Sequence, residues 1–188
     1  MERCSRGWWL QVQDWQNIVT DCGPLVWRTA YRLLGNHADT ADCFQETFLA
    51  ALELSRRQPV RNMPGLLVRL ATTRAIDRLR QRGRQERPSA PGGDCDETCS
   101  SNGPADEVQA QELVGQLREA ISGLPAQEAK VFCLRYLSEM SYRQIASQLG
   151  IGINIVGVSL YRAKARLREA LGAWQMDEDE VSHEKAQR

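Results

Sequence analysis

An all-α protein of two small helical domains joined by a flexible linker is what the sequence predicts, and three observations predict it. Apolar residues recur at three- and four-residue steps through both halves of the chain. No stretch alternates apolar and polar residues as a half-buried strand would. Between the halves, Pro88 to Pro104 reads Pro-Ser-Ala-Pro-Gly-Gly-Asp-Cys-Asp-Glu-Thr-Cys-Ser-Ser-Asn-Gly-Pro, with almost no apolar side chain to pack and with prolines and glycines that oppose regular structure. The predicted boundaries are 12–87 for the first unit, 88–105 for the linker, 106–172 for the second unit and 173–188 for an acidic, disordered tail. At ~3.5 Å per residue the extended linker reaches about 60 Å, far enough for two units to address separate sites on one large partner.

In the first unit, Trp15, Ile18, Val19, Cys22, Val26, Ala30 and Leu33 form a helical stripe. Gly23-Pro24 falls inside it, which predicts a kink or two consecutive helices. Gly35-Asn36 ends the segment. Asp39 or Thr40 is the expected cap of the next helix, whose inner face is Phe44, Phe48, Ala51 and Leu52. Pro59 to Pro64 makes a loop, and Pro64 suits the first turn of a third helix that buries Leu66, Leu67, Leu70 and Ala71.

The second unit begins with a stripe of Val108, Val114, Leu117 and Ile121, broken at Leu124-Pro125. The next helix carries Ala129, Phe132, Cys133 and Tyr136. Ser141-Tyr-Arg-Gln144 has the capping-box pattern, and Gly150 stops the short helix that follows. Asn154 is the expected cap of the last helix, with Val156, Leu160, Ala163, Leu167 and Leu171 inward. A short helix, a glycine turn and a longer amphipathic helix form a helix-turn-helix candidate.

Among 188 residues, 42% are hydrophobic and only 6% aromatic, which fits small helical cores. The formal net charge is zero, with 24 basic and 24 acidic residues, but their distribution is uneven. Arginines crowd 69–87 and 162–168, and acids crowd 94–97 and 177–180, so the neutral total hides basic surfaces able to meet phosphate. No apolar run nears the roughly 20 residues of a membrane span, and Trp8-Trp9-Leu10 is too short for a signal-peptide core, so a cytoplasmic location without membrane insertion is expected. Cys22, Cys43 and Cys133 fall in apolar helical patterns and read as small core residues. Cys95 and Cys99 sit in the linker with no second Cys/His pair at zinc-site spacing, which makes a metal or redox pair the lesser reading. No nucleotide-binding loop, nucleophile–base pair or metal cluster is present, so neither enzymatic activity nor a cofactor is expected.

Two motifs carry a family resemblance. Residues 124–171 contain Leu-Pro-Ala-Gln-Glu, Phe-Cys-Leu-Arg-Tyr, Met-Ser-Tyr-Arg-Gln-Ile-Ala-Ser-Gln-Leu-Gly-Ile and Tyr-Arg-Ala-Lys-Ala-Arg-Leu-Arg-Glu-Ala-Leu. This resembles region 4 of the sigma-70 family of RNA polymerase sigma factors. Arg32-Leu-Leu-Gly-Asn-His-Ala-Asp-Thr-Ala-Asp-Cys-Phe-Gln-Glu-Thr-Phe-Leu-Ala-Ala-Leu52, with Leu67-Val-Arg-Leu-Ala and Asp77-Arg-Leu-Arg80 further on, resembles region 2. Both in order, with little between them, resemble the extracytoplasmic-function (ECF) group.

The resemblance implies a monomeric factor, when free, that binds core RNA polymerase and promoter DNA and is held inactive by an anti-sigma protein. It implies a polymerase-docking rim of Asp39, Asp42, Gln45, Glu46 and Phe48, with Phe44 in the core. It places Arg69, Arg74, Arg78 and Arg80 of the third helix toward the −10 element, with Asn62 in the loop that holds an unstacked base, near Arg56, Arg57 and Arg61. Asp77 is expected to partner a nearby arginine. It places Arg143, Asn154, Val158, Ser159, Arg162, Lys164 and Arg166 toward the −35 element.

The sequence departs from the family pattern in both halves. Leu66 replaces a tryptophan and Thr73 an asparagine, and no aromatic residue occurs from Ser55 to Arg87. Stacking worth about 1–3 kcal/mol per base is therefore absent there, which predicts limited strand opening. In the last helix, Ile155-Val-Gly-Val-Ser159 stands where the family usually has Thr-Val-Lys-Ser-Arg. Gly157 costs the helix about 1 kcal/mol relative to alanine. With the long polar groups gone, −35 binding is expected to be weak or to rely on apolar contacts to thymine methyls from Ile155 or Val158. Two other readings fit: a polymerase-binding adaptor that has lost −35 readout, and a helix-turn-helix regulator that works without polymerase.

Overall fold

The computed structural model describes residues 5–85 and 105–172, with side chains from 15 to 84 and from 111 to 172. Among the described residues the regular elements are all helices: α1 Ser5–Leu34, α2 His37–Arg57, α3 Met63–Gln85, α4 Ala105–Gly123, α5 Ala126–Tyr136, α6 Tyr142–Leu149 and α7 Ile153–Leu171.

Helix α1 runs unbroken through Pro24, contrary to the predicted interruption. A proline there forfeits one backbone hydrogen bond to the preceding turn. The apolar stripe on both sides of it compensates, because Cys22, Val26, Ala30 and Leu33 are all buried along one face. Helix α2 starts earlier than its expected caps. Asn36 is the N-cap: its Oδ1 accepts from the Asp39 backbone N–H at 2.8 Å, and its Nδ2 donates to Asp39 Oδ2 at 2.8 Å. Asp39 is thus the third residue of the cap motif. Thr40 turns inward and donates its hydroxyl proton to the Asn36 carbonyl at 2.6 Å.

The expected short helix holds. Ser141 Oγ accepts from the Gln144 backbone N–H, the Gln144 side chain accepts from the Ser141 backbone N–H, and Gly150 closes α6 at φ +65°. Helix α7 begins at Ile153, one residue before Asn154, with extended Gly152 as its N-cap and no side-chain cap. The sequence reading missed this because glycine offers no side-chain signal, whereas Asn154 does.

Three apolar clusters organise the molecule. One lies within α1–α3, around Val26, Phe48, Leu67 and Ala71. A second holds α5, α6 and α7 together around Val131, Ile145, Val156 and Leu160, and reaches across to Val68 of α3. The third is common to both halves: Ala30, Leu33, Cys43, Ile76 and Leu79 pack with Ile121, Leu124, Phe132, Cys133 and Leu167. Each large apolar side chain fully buried contributes about 1.5–3 kcal/mol, so a shared cluster of this size holds the halves together firmly. The two helical units thus also share a core. In the helix α4 stripe, Leu117 and Ile121 reach this core, whereas Val114 is exposed.

Arginines reinforce the seam at helix ends, where the last carbonyls of a helix lack backbone partners. Arg80 of α3 donates to the carbonyls of Leu124 at 2.7 Å and Ser122 at 3.3 Å, at the end of α4. Arg32 of α1 donates to the Leu137 carbonyl, at the end of α5, at 2.7 Å. Arg118 of α4 returns the favour at the end of α1, donating twice to the Arg32 carbonyl at 3.2 and 3.3 Å. Burial lowers the Arg118 pKa from its ordinary value, and nearby Arg82 adds to this, against an opposing pull from Tyr31. The Arg118 guanidinium also fills the space beside Gly35, 2.5 Å from where a Cβ would stand. Gly35, at φ +74°, is thus required by both its backbone and its neighbour.

Candidate nucleic-acid and protein interfaces

The first surface is built where α2 and α3 lie side by side. Asp39, Asp42 and Glu46 follow one another at three- and four-residue steps, so their carboxylates line one edge of α2. Arg74, Arg78 and Arg82 repeat at four-residue steps along the facing edge of α3. The two rows interlock. Arg78 Nη2 donates to Glu46 Oε1 at 2.7 Å, and its Nη1 lies 3.3 Å from Asp42 Oδ2 and 3.5 Å from Asp39 Oδ1. Arg74 pairs with Glu46 at 3.3 Å and Arg82 with Asp39 at 3.4 Å. Burial works against the Arg78 charge, but the Glu46 hydrogen bond and the fields of Glu46 and Asp42 outweigh it and hold its pKa above the ordinary value.

The structure thus joins residues that the sequence reading sent to two different partners. The acidic rim expected to meet polymerase is bonded to arginines expected to meet DNA. Within the rim, Asp42 and Gln45 are exposed, whereas Asp39 and Glu46 are half-buried. Phe48, expected as the apolar anchor, is 9% exposed and belongs to the core, because α2 turns it onto Phe44 at a ring distance of 4.8 Å. The apolar group on the rim is instead Leu49, 61% exposed. Its place seven residues after Asp42 and four after Gln45 puts it on their face, a signal that helical spacing alone carries.

The remaining residues expected to face the −10 element are dispersed. Asn62 is exposed, and its Oδ1 accepts from the Gly65 backbone N–H at 3.0 Å, so its side chain starts α3. Arg69 is half-buried, and Arg80 sits in the seam described above, 3.9 Å from Asp77. Arg56, Arg57 and Arg61 are exposed together around the α2–α3 loop.

The second surface is the helix-turn-helix of α6 and α7. The left-handed Gly150 and the extended Gly152 turn the chain sharply, and Ile145, Val156 and Leu160 lock the two helices together. This leaves the opening turns of α7 facing out. Asn154 and Arg162 are exposed, as is Arg143 on α6. Ile153, Ile155, Val158 and Tyr161 are exposed too, Tyr161 at 75%. Ser159, expected on this face, is turned inward: it is buried, and Gln127 Nε2 donates to its Oγ at 3.4 Å. Lys164 and Arg166 are drawn aside, Lys164 over the Tyr136 ring at 5.2 Å and Arg166 toward Glu128 Oε2 at 3.2 Å. Glu128 is itself buried beneath the cleft between α5 and α7.

Cys22, Cys43 and Cys133 are free and buried, as expected of core residues. Burial pushes the Cys133 pKa up to about 12. Cys95 and Cys99 lie outside the described residues. Among the described residues no helix is long and apolar enough to cross a membrane, and no group of side chains is arranged to hold a metal.

The two surfaces coincide with two family patterns. Sigma-70 region 2 matches residues 18–85, and Sigma-70, region 4 matches residues 115–167. The chain is 28% identical over 161 residues to the ECF RNA polymerase sigma factor SigE of Mycolicibacterium smegmatis, covering 85% of this chain and 62% of that protein. It is 28% identical over 163 residues to the ECF RNA polymerase sigma factor SigW of Bacillus subtilis, covering 82% of this chain and 87% of that protein. Its fold is similar to the sigma factor RpoE solved in complex with the anti-sigma factor NepR from Bartonella quintana. That similarity has a TM-score of 0.53 at 21% identity, over 85% of this chain and 98% of that one. It is also similar to CnrH in complex with the cytosolic domain of CnrY, with a TM-score of 0.55 at 20% identity, over 85% of this chain and 88% of that one. With region 2 and region 4 in order on one all-helical fold, the chain belongs to the sigma-70 family, in its extracytoplasmic-function group.

Proposed function

We propose that the chain is a promoter-recognition subunit: it binds core RNA polymerase, directs initiation at selected promoters and leaves all bond-making to the polymerase. The observation that carries this is the joint presence of regions 2 and 4, each presenting an outward surface of the right chemistry. In the first unit, 12–87, the docking surface is the rim of Asp42, Gln45 and Leu49, an apolar side chain flanked by polar groups that can pair with a basic partner. Asp39 and Glu46 hold that rim in place through Arg74, Arg78 and Arg82. Phosphate contact near the −10 element then falls to the exposed Arg56, Arg57 and Arg61, because Arg74, Arg78 and Arg82 of α3 are paired with the α2 carboxylates. In the second unit, 106–172, Arg143 and Arg162 flank the opening turns of α7 and hold phosphates beside the major groove.

An anti-sigma protein is a further proposed partner. One structure of similar fold, the sigma factor RpoE, is a complex with the anti-sigma factor NepR. The seam between the halves offers a state that such a protein could stabilise.

One observation favours a second reading, the polymerase-binding adaptor: the apolar exposure of Ile153, Ile155, Val158 and Tyr161 where polar base-reading groups are usual. A run-off transcription assay with core polymerase separates the readings. Specific initiation supports the sigma factor, and polymerase binding with no initiation supports the adaptor. DNA binding without polymerase would leave an independent regulator. Asp42→Arg places a cation on the rim and is expected to weaken polymerase association at least ten-fold, about 1.4 kcal/mol. Undiminished association would remove this face from the docking surface.

A further inference from the structure

The opening turns of α7 display an unusual set of groups for a helix that enters DNA. Their outward residues are Ile153, Asn154, Ile155 and Val158, followed by Tyr161 and Arg162. Ser159 is buried against Gln127, and Gly157 has no side chain. The first cation on α7 is Arg162, nine residues after Ile153, or about 13 Å along the axis at 1.5 Å per residue. Base edges are read by the first turns of such a helix, so Arg162 stands too far along to join them and serves the backbone.

That inventory has a chemical consequence. Guanine is most often read by a bidentate arginine or lysine, and cytosine by a carboxylate. The opening turns of α7 contain neither. The groups they do contain match the other base pair. An asparagine amide donates to adenine N7 and accepts from adenine N6, and branched aliphatic side chains pack against the thymine 5-methyl. Ile155 and Val158 are three residues apart, one turn of the same face, and Asn154 borders them.

We propose that α7 selects A·T pairs in the −35 element, with Ile155 and Val158 seated on thymine methyl groups and Asn154 on a neighbouring adenine. This rests on the reading of the chain as a sigma factor and specifies what its second surface recognises. It also accounts for the apolar exposure: side chains left in water in the free protein are covered by methyl groups in the complex. Arg143 and Arg162, on either side, supply sequence-independent attraction to the phosphates.

The test uses the full chain assembled with core polymerase and a duplex pool randomised over the −35 window. Selection is expected to enrich A·T-rich windows. The selected duplex is then resynthesised with deoxyuridine for each thymidine in the window, which removes the methyl and keeps every hydrogen-bonding group. Affinity is expected to fall about four-fold for each contacted thymine, the worth of one buried apolar carbon. Val158→Ala, at an exposed position that does not disturb the core, is expected to bind weakly to the thymidine duplex and to lose its sensitivity to deoxyuridine at one position. Replacing the contacted adenine by 7-deazaadenine is expected to weaken wild type and to leave Asn154→Ala unaffected.

Enrichment of G·C-rich windows would overturn the proposal, as would full affinity for the deoxyuridine duplex. Specific initiation with no −35 preference at all would also overturn it and would leave the α7 face to a protein partner. Failure to initiate on any fragment is a different result, because it removes the sigma-factor reading itself.

Discussion

The two halves of this molecule spend their charge in opposite ways. Along α2 and α3, three carboxylates and three arginines are bonded to one another, so a surface rich in charge is largely neutralised within the fold. Beside the α7 reading face, Arg162 and Arg143 of α6 stay exposed, while the face between them is apolar. Charge at the α2–α3 seam therefore builds structure, and beside the α7 face it is kept for a partner. A count of arginines along the sequence cannot tell these uses apart, because it does not show which arginines face a carboxylate on a neighbouring helix.

The strongest challenge to this comparison is whether the halves are separate bodies at all. Leu33 of α1 is buried in the cluster that also contains Ile121, Phe132 and Leu167. Leu33→Ala is expected to lower unfolding free energy by about 2–5 kcal/mol, the usual range for truncating a fully buried leucine. Because the cluster is shared, amide hydrogen exchange should accelerate in α5 and α7 as well as in α1 and α3. Acceleration confined to α1–α3 would show that the second half stands without the seam, and the contrast would then be between two independent domains.

A smaller effect sharpens the contrast in charge. Arg78 is bonded to carboxylates on three residues, and its side chain is about one-fifth exposed (22%). Arg78→Ala leaves Asp39, Asp42 and Glu46 without their common cation and is expected to cost about 1.5–3 kcal/mol, the range for hydrogen bonds to charged groups. The matching change on the other half, Arg162→Ala, removes an exposed cation and is expected to stay within about 0.5 kcal/mol. It should instead lower promoter affinity and flatten its salt dependence by about one ion. Urea titrations of both variants, with binding measured at several salt concentrations, decide the matter. If Arg78→Ala proved neutral to stability and changed only the salt slope, the arginine row on α3 would be a DNA surface after all.

Much of the fold was legible because helical periodicity and cap chemistry are local. The α6 capping box, the glycine stop at 150 and the break at Leu124-Pro125 each depend on residues within one turn. The errors were local signals overruled by packing. Pro24 normally ends a helix, yet α1 continues because the apolar stripe beyond it is buried. Asn154 is a better cap than Gly152 by composition, yet α7 already begins at Ile153, so the cap position falls on Gly152. Among the surface residues, Asp42, Asn154 and Arg162 were found because exposure follows from polarity. Ser159 was misplaced for the same reason, since its polarity hid an inward orientation. Leu49 was passed over because an exposed leucine leaves no compositional trace. The Asp39–Arg78 pairing joins residues 39 apart, and no local rule reaches that far.

A local effect bears on what holds the reading unit in shape. Helix α6 has only eight residues, too few to persist on propensity alone. Two supports are available to it: the reciprocal cap of Ser141 and Gln144, and the burial of Ile145 and Ala146 against α7. Ser141→Ala removes one backbone partner and is expected to cost about 1 kcal/mol. The loss should be concentrated in α6 amide exchange, with α2 and α3 unchanged, because no cap bond crosses the seam. A global loss of the same size would mean that α6 unfolds only with the whole molecule, held by its apolar face rather than its cap. The turn that aims α7 would then be as rigid as the core. Exchange confined to α6 would instead leave the aim of Asn154, Ile155 and Val158 dependent on a single serine hydroxyl.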